Sequence, residues 1–155
     1  MKQLRSKPAT SQKRRAVAAV EMAIALPLLV LMLLGTIDLG QFVNVGQVVS
    51  NASRVGARKA SAHSTKTVAE VEAEVVNYLD NYFPGQSAAT IDGATTVSVA
   101  FDNGTALSGN DFEFMEEGVK LIVTVQFDYS AVRWVNGITQ LDNRPLTVTT
   151  TIRRL

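Results

Sequence analysis

Apolar residues run almost unbroken from Ala16 to Ile37, with only Glu21, Gly35 and Thr36 between them. Val17 to Ile37 is about 21 residues; as a helix rising ~1.5 Å per residue it reaches roughly 31 Å, one hydrocarbon thickness. The run predicts a transmembrane helix over 17–37. Pro27 falls inside it, removes one backbone donor and predicts a kink. Beyond Asp38, Phe42, Val45, Val48, Val49, Ala52 and Val55 recur at spacings of three and four, so the same helix continues to about Ser61. Gly35, Gly40 and Gly46 are small positions that suit either close approach of a partner helix or local helix softness.

A second helix is predicted over Thr67–Tyr82. Thr67-Val68-Ala69-Glu70 has capping-box spacing, Val68, Val71, Val75, Leu79 and Tyr82 form one stripe, and Phe83-Pro84-Gly85 ends it. Three later segments alternate with period two: Val97–Phe101 before an Asp102-Asn103-Gly104 turn, Val119–Tyr129, and Leu146–Arg153. Phe112-Glu113-Phe114 is a candidate for a short edge strand. One apolar face per strand describes an antiparallel sheet covered by helix. The expected fold is therefore α+β: a long N-terminal transmembrane helix continuing into a small outer domain with a second helix and a sheet of three or four antiparallel strands.

Charge gives the apolar run a direction. The 155 residues carry a formal net charge of only +1, but Lys2, Arg5, Lys7, Lys13, Arg14 and Arg15 all precede the first acid, Glu21. From Leu39 onward nine bases face twelve acids. A basic head beside an apolar run is the positive-inside pattern, which keeps the N-terminus cytoplasmic and sends residues after Asp38 outward. A nucleic-acid-binding arm is the competing reading of the basic head, and the abutting apolar run favours the membrane; no nucleic-acid partner is expected. A buried core helix fits poorly, because the bases flank one end only. Ordinary signal-peptide cleavage lacks its small-x-small site, since Gly35-Thr36-Ile37-Asp38-Leu39-Gly40 follows Leu34. The chain thus divides into a basic leader at 1–16, a span at 17–37 and an extracytoplasmic domain at 38–155.

Glu21 is the costly residue. An acid inside an apolar span costs roughly 2.5–3.5 kcal/mol on insertion scales, so it usually has a partner. Snorkelling to the headgroups is one outcome. A cut between Ala16 and Val17 provides another: the new amine and Glu21 would lie one helical turn apart on one face, within a subunit or between neighbours.

Basic leader, small residue, four intervening residues and a Glu opening an apolar helix together resemble the processing pattern of type IV prepilins. Within that group, Arg15-Ala16-Val17-Ala18-Ala19-Val20-Glu21-Met22-Ala23-Ile24-Ala25-Leu26-Pro27-Leu28-Leu29 is similar to the TadE-like family. Met22 stands where that family usually has an aromatic, and Ala16 where glycine is commoner. Gly35-Thr36-Ile37-Asp38-Leu39-Gly40-Gln41 and Asn51-Ala52-Ser53-Arg54-Val55-Gly56-Ala57-Arg58 resemble its later segments. The resemblance implies a minor pseudopilin of the tight-adherence (Flp) pilus apparatus with a pilin-like outer domain. It further implies cleavage by a prepilin peptidase at Ala16/Val17, Glu21 as the signature acid, and other pilins, pseudopilins and assembly proteins as partners alongside membrane lipid.

Chemistry elsewhere is sparse. With no cysteine and one histidine, His63, the chain has no thiol chemistry and no two-histidine metal site. Its sequence holds no His-Glu-x-x-His, Gly-x-Ser-x-Gly or phosphate-loop pattern. Asp102–Asp111 lacks calcium-loop spacing and predicts a turn. We expect no enzyme, cofactor or metal. Val132, Trp134, Val135 and Ile138 form an apolar cluster that is either core or a subunit contact. The alternative overall reading is an uncleaved membrane-anchored binding or sensory module.

Overall fold

The structure is a computed structural model that describes residues 9–134 and 145–155, without the side chains of 9–12 and 114. Two compact units divide the chain, one ending at Ile37 and the other running Asp38–Leu155. Helix α1 (Ala9–Ser61) passes through Pro27 and ends at Ser61, where the sequence pattern predicts, with Arg58 and Lys59 in its last turn.

In the first unit the apolar side chains of α1 are exposed, Ile24 at 72% and Met32 at 69% among them. Isolated surface apolar residues are ordinary, but more than two turns exposed on every face are not, and water is a poor solvent for them.

The second unit is built on the C-terminal part of α1. Val45, Val48, Val49, Ala52, Ser53, Ala57 and Ala60 are buried at three- and four-residue spacing. Helix α2 (Val68–Tyr82) buries Val71, Val75 and Leu79. Thr67 caps it by accepting from the Glu70 amide at 3.2 Å, while the Glu70 carboxylate reaches the Lys66 amide and the Thr67 hydroxyl. Helix α3 (Ala88–Ala94) follows, capped by Ser87 and buried at Ile91. Strands β1 (Thr95–Phe101), β2 (Lys120–Phe127) and β3 (Leu146–Arg153) form one antiparallel sheet in the order β1-β2-β3. Val99 pairs with Val123, and Val125 with Val148, so one face of the sheet is apolar in register. Ser53, buried on α1, meets Thr150 on β3 at 2.7 Å, which satisfies both hydroxyls inside an otherwise apolar layer.

Residues Asp111–Phe114 form a 3₁₀ turn and not an edge strand, with Phe112 fully buried. The Arg154 guanidinium is buried over the Phe112 ring at 5.3 Å and donates to the Phe112 and Thr65 carbonyls. The predicted turn is present: Gly104 sits at φ +84°, and Leu107 returns to Val99 at 2.8 Å.

At Gly56 helix α1 comes close to α2. A Cβ there would lie 2.6 Å from a Val75 methyl, with Val71 and Val123 behind it. Helix propensity favours alanine by up to about 1 kcal/mol, but overpacking a tight core costs about 1–3 kcal/mol. We expect Gly56→Ala to lower stability in denaturant unfolding, and the added change Val75→Ala to reverse its sign by opening the space.

Candidate functional site: the N-terminal segment and the Asp38 clasp

Ala16, Val17, Glu21 and Pro27 all lie on α1 within the first unit, and all four are exposed. Val17 and Glu21 share a shallow face with Lys13, Arg14 and Ala18. Glu21 takes part in none of the ion pairs found among the described residues. Bringing Val17 and Glu21 onto one face follows from their four-residue spacing. Among the described residues α1 is also the helix long and apolar enough to cross a membrane. That supports a single-pass membrane protein.

A second constellation begins one residue after the apolar run. Asp38 and Arg133 form a two-pronged ion pair, Nε to Oδ1 at 2.9 Å and Nη2 to Oδ2 at 2.6 Å, with both side chains fully buried. The Tyr129 hydroxyl donates toward Asp38 Oδ1 at 3.0 Å, with the Asp38 carbonyl and Gln41 Oε1 close by. Gln41 then clamps the chain on either side of Arg133. Its Nε2 donates to the Val132 carbonyl at 2.7 Å, and its Oε1 accepts from the Trp134 amide at 3.1 Å. Phe42 packs edge-on against Tyr129 at 5.2 Å.

The clasp ties the first turns of α1 within the second unit to the segment that follows β2, more than 85 residues away in sequence. Buried charges cost more in desolvation than a single contact returns, so such a pair holds only when both prongs and the remaining lone pairs are satisfied. Here Tyr129 supplies the extra donor.

Burial, then the adjacent Asp38 carboxylate, push the Tyr129 phenol up to about 12 from an ordinary 10.0. The Asp38 hydrogen bond raises Arg133 further, so it stays charged. Because the folded value for Tyr129 lies above the unfolded one, its contribution is complete below pH 10 and is lost as pH rises through about 12. A phenolate absorbance titration should therefore show one group titrating near pH 12 that is absent in Tyr129→Phe, together with stability that declines over that interval in the wild type.

Residues 16–58 match the TadE-like protein family. The matched segment carries Ala16, Val17, Glu21, Pro27 and Asp38, and it ends within the part of α1 that builds the second core. No curated protein and no solved structure matches the chain.

The pattern of the sequence did not point to the clasp. Asp38 closes the apolar run there, and Arg133 falls unremarked between Val132 and Trp134. The available signal was that pairing: an acid just past a span and a base flanked by Val132 and Trp134 both need a partner if they are buried. The apolar cluster itself divides. Val132 is buried and Trp134 is exposed, while Val135 and Ile138 lie outside the described residues.

Proposed function

We propose that this protein is a minor pseudopilin or assembly subunit of a tight-adherence pilus, working by helix packing and subunit contacts and not by catalysis. The observation that carries this reading is the match of residues 16–58 to TadE-like proteins, laid over a helix whose apolar side chains are exposed. In this reading residues 1–16 are a cytoplasmic leader, a prepilin peptidase cuts between Ala16 and Val17, and residues 38–155 stand outside the cytoplasmic membrane. Glu21 is then left one turn from the new amine, where the two opposite charges neutralise each other as helices pack. Pro27 supplies a local break in the backbone ladder that lets the packed helix bend. Partners are the peptidase, other pilins and pseudopilins, pilus assembly proteins and lipid.

The test is genetic. Removing the protein from a cell that builds Flp-type pili should abolish surface pili, and the wild-type chain supplied in trans should restore them. Unchanged piliation in the deletion strain would contradict the proposal.

A further inference from the structure

The outward face of α1 does not turn polar where the long apolar run stops. Leu39 and Val43 remain 54% and 59% exposed, and only from Asn44 onward does the exposed face become polar, through Gln47, Asn51, Arg54 and Arg58. The stretch from Val17 to Val43, about 27 residues, reaches roughly 40 Å as a helix, which matches a hydrocarbon core together with its interfacial layers and not the core alone. The opposite face of the same turns holds Asp38 and Gln41, and Gln41 fixes the backbone of Trp134. Trp134 therefore sits at the level of Leu39 to Val43, yet the residue is 78% exposed. Beside it, Tyr82, Phe83 and Pro84 line the same shallow groove, and Tyr82 is itself 46% exposed.

We propose that this aromatic edge is a membrane-interface anchor: Trp134, with Tyr82 beside it, seats the base of the second unit in the headgroup layer of the bilayer. The occupant of the groove is lipid. Tryptophan and tyrosine suit that layer because one end of each ring system is apolar and the other hydrogen-bonds. Leu39 and Val43 follow the apolar run directly in the sequence and stay exposed, which places lipid at this level. The clasp fits the same placement, since a charged pair beside lipid has to be enclosed and fully paired. The inference rests on the membrane-spanning reading of 17–37, and holds whichever side of the membrane the second unit faces.

Trp134 is the sole tryptophan in the sequence, so its fluorescence needs no labelling. The full chain is reconstituted in phosphatidylcholine vesicles whose acyl chains are brominated either near the headgroup or near the chain end. The expected result is loss of Trp134 emission with shallow bromines and a smaller loss with deep ones. A second variant, Leu29→Trp combined with Trp134→Phe, reports the span separately and should lose emission most with deep bromines. If Leu29→Trp is quenched and Trp134 is not, the span stands and the anchor is overturned. Trp134 emission that shifts blue with protein density but ignores bromine would mean a protein contact, and also overturns it. Absence of quenching at both positions would remove the spanning reading on which the proposal depends.

Discussion

Asp38→Ala lowers the stability of the second unit by about 3–5 kcal/mol, because Arg133 keeps its charge in a closed interior and loses the carboxylate that it holds by two hydrogen bonds. For a unit of this size that is a fall in thermal midpoint of at least about 10 °C, read by near-ultraviolet circular dichroism on the full chain in detergent. Burial decides the size of the effect. The other ion pair, Lys120–Asp102 at 3.3 Å, has side chains 47% and 58% exposed, so Asp102→Ala costs under about 1 kcal/mol. Removing both partners separates a lost bond from a buried charge without its carboxylate. Asp38→Leu with Arg133→Met should recover most of what Asp38→Ala loses, as apolar replacements of buried pairs are often neutral. A double variant as unstable as the single one would mean that the clasp does more than pair charges.

Glu21→Gln has its largest effect on assembly and little on folding. Glu21 is exposed and belongs to the unit that ends at Ile37, so the core of the second unit does not depend on it. Its effect on insertion has a definite sign. A carboxylate in the span costs roughly 2.5–3.5 kcal/mol on insertion scales, so neutralising it makes insertion easier. Loss of pili in Glu21→Gln, with membrane levels and the near-ultraviolet spectrum unchanged, then points to a missing charge partner between packed helices. If Glu21 merely snorkels to the headgroups, piliation stays at the wild-type level, and the packing role is wrong.

Where one periodicity dominated, the fold was legible in the residues. The stripe from Phe42 to Val55 predicted the continuation of α1, Thr67 and Glu70 marked the start of α2, and alternation, broken only at Ile122, located all three strands. Helix α3 was not foreseen, because only Ile91 is buried in seven residues and the remaining small side chains carry no stripe. Phe112-Glu113-Phe114 looks like a strand by alternation, but three residues cannot distinguish alternation from a 3₁₀ turn with one buried ring. The family resemblance of the N-terminal segment was legible because its signal is local: the basic residues, Glu21 and the apolar run lie within 40 residues. The clasp was not, since the partner of Asp38 lies 95 residues away and no local pattern encodes such a pairing.

The mature N-terminus tests the central claim most directly. Intact-mass analysis of the membrane protein from cells with the prepilin peptidase should give a chain that begins at Val17, and cells without the peptidase should give the longer form that retains the basic leader. A chain that keeps residues 1–16 in peptidase-containing cells would contradict a processed pseudopilin and leave α1 as an uncleaved anchor.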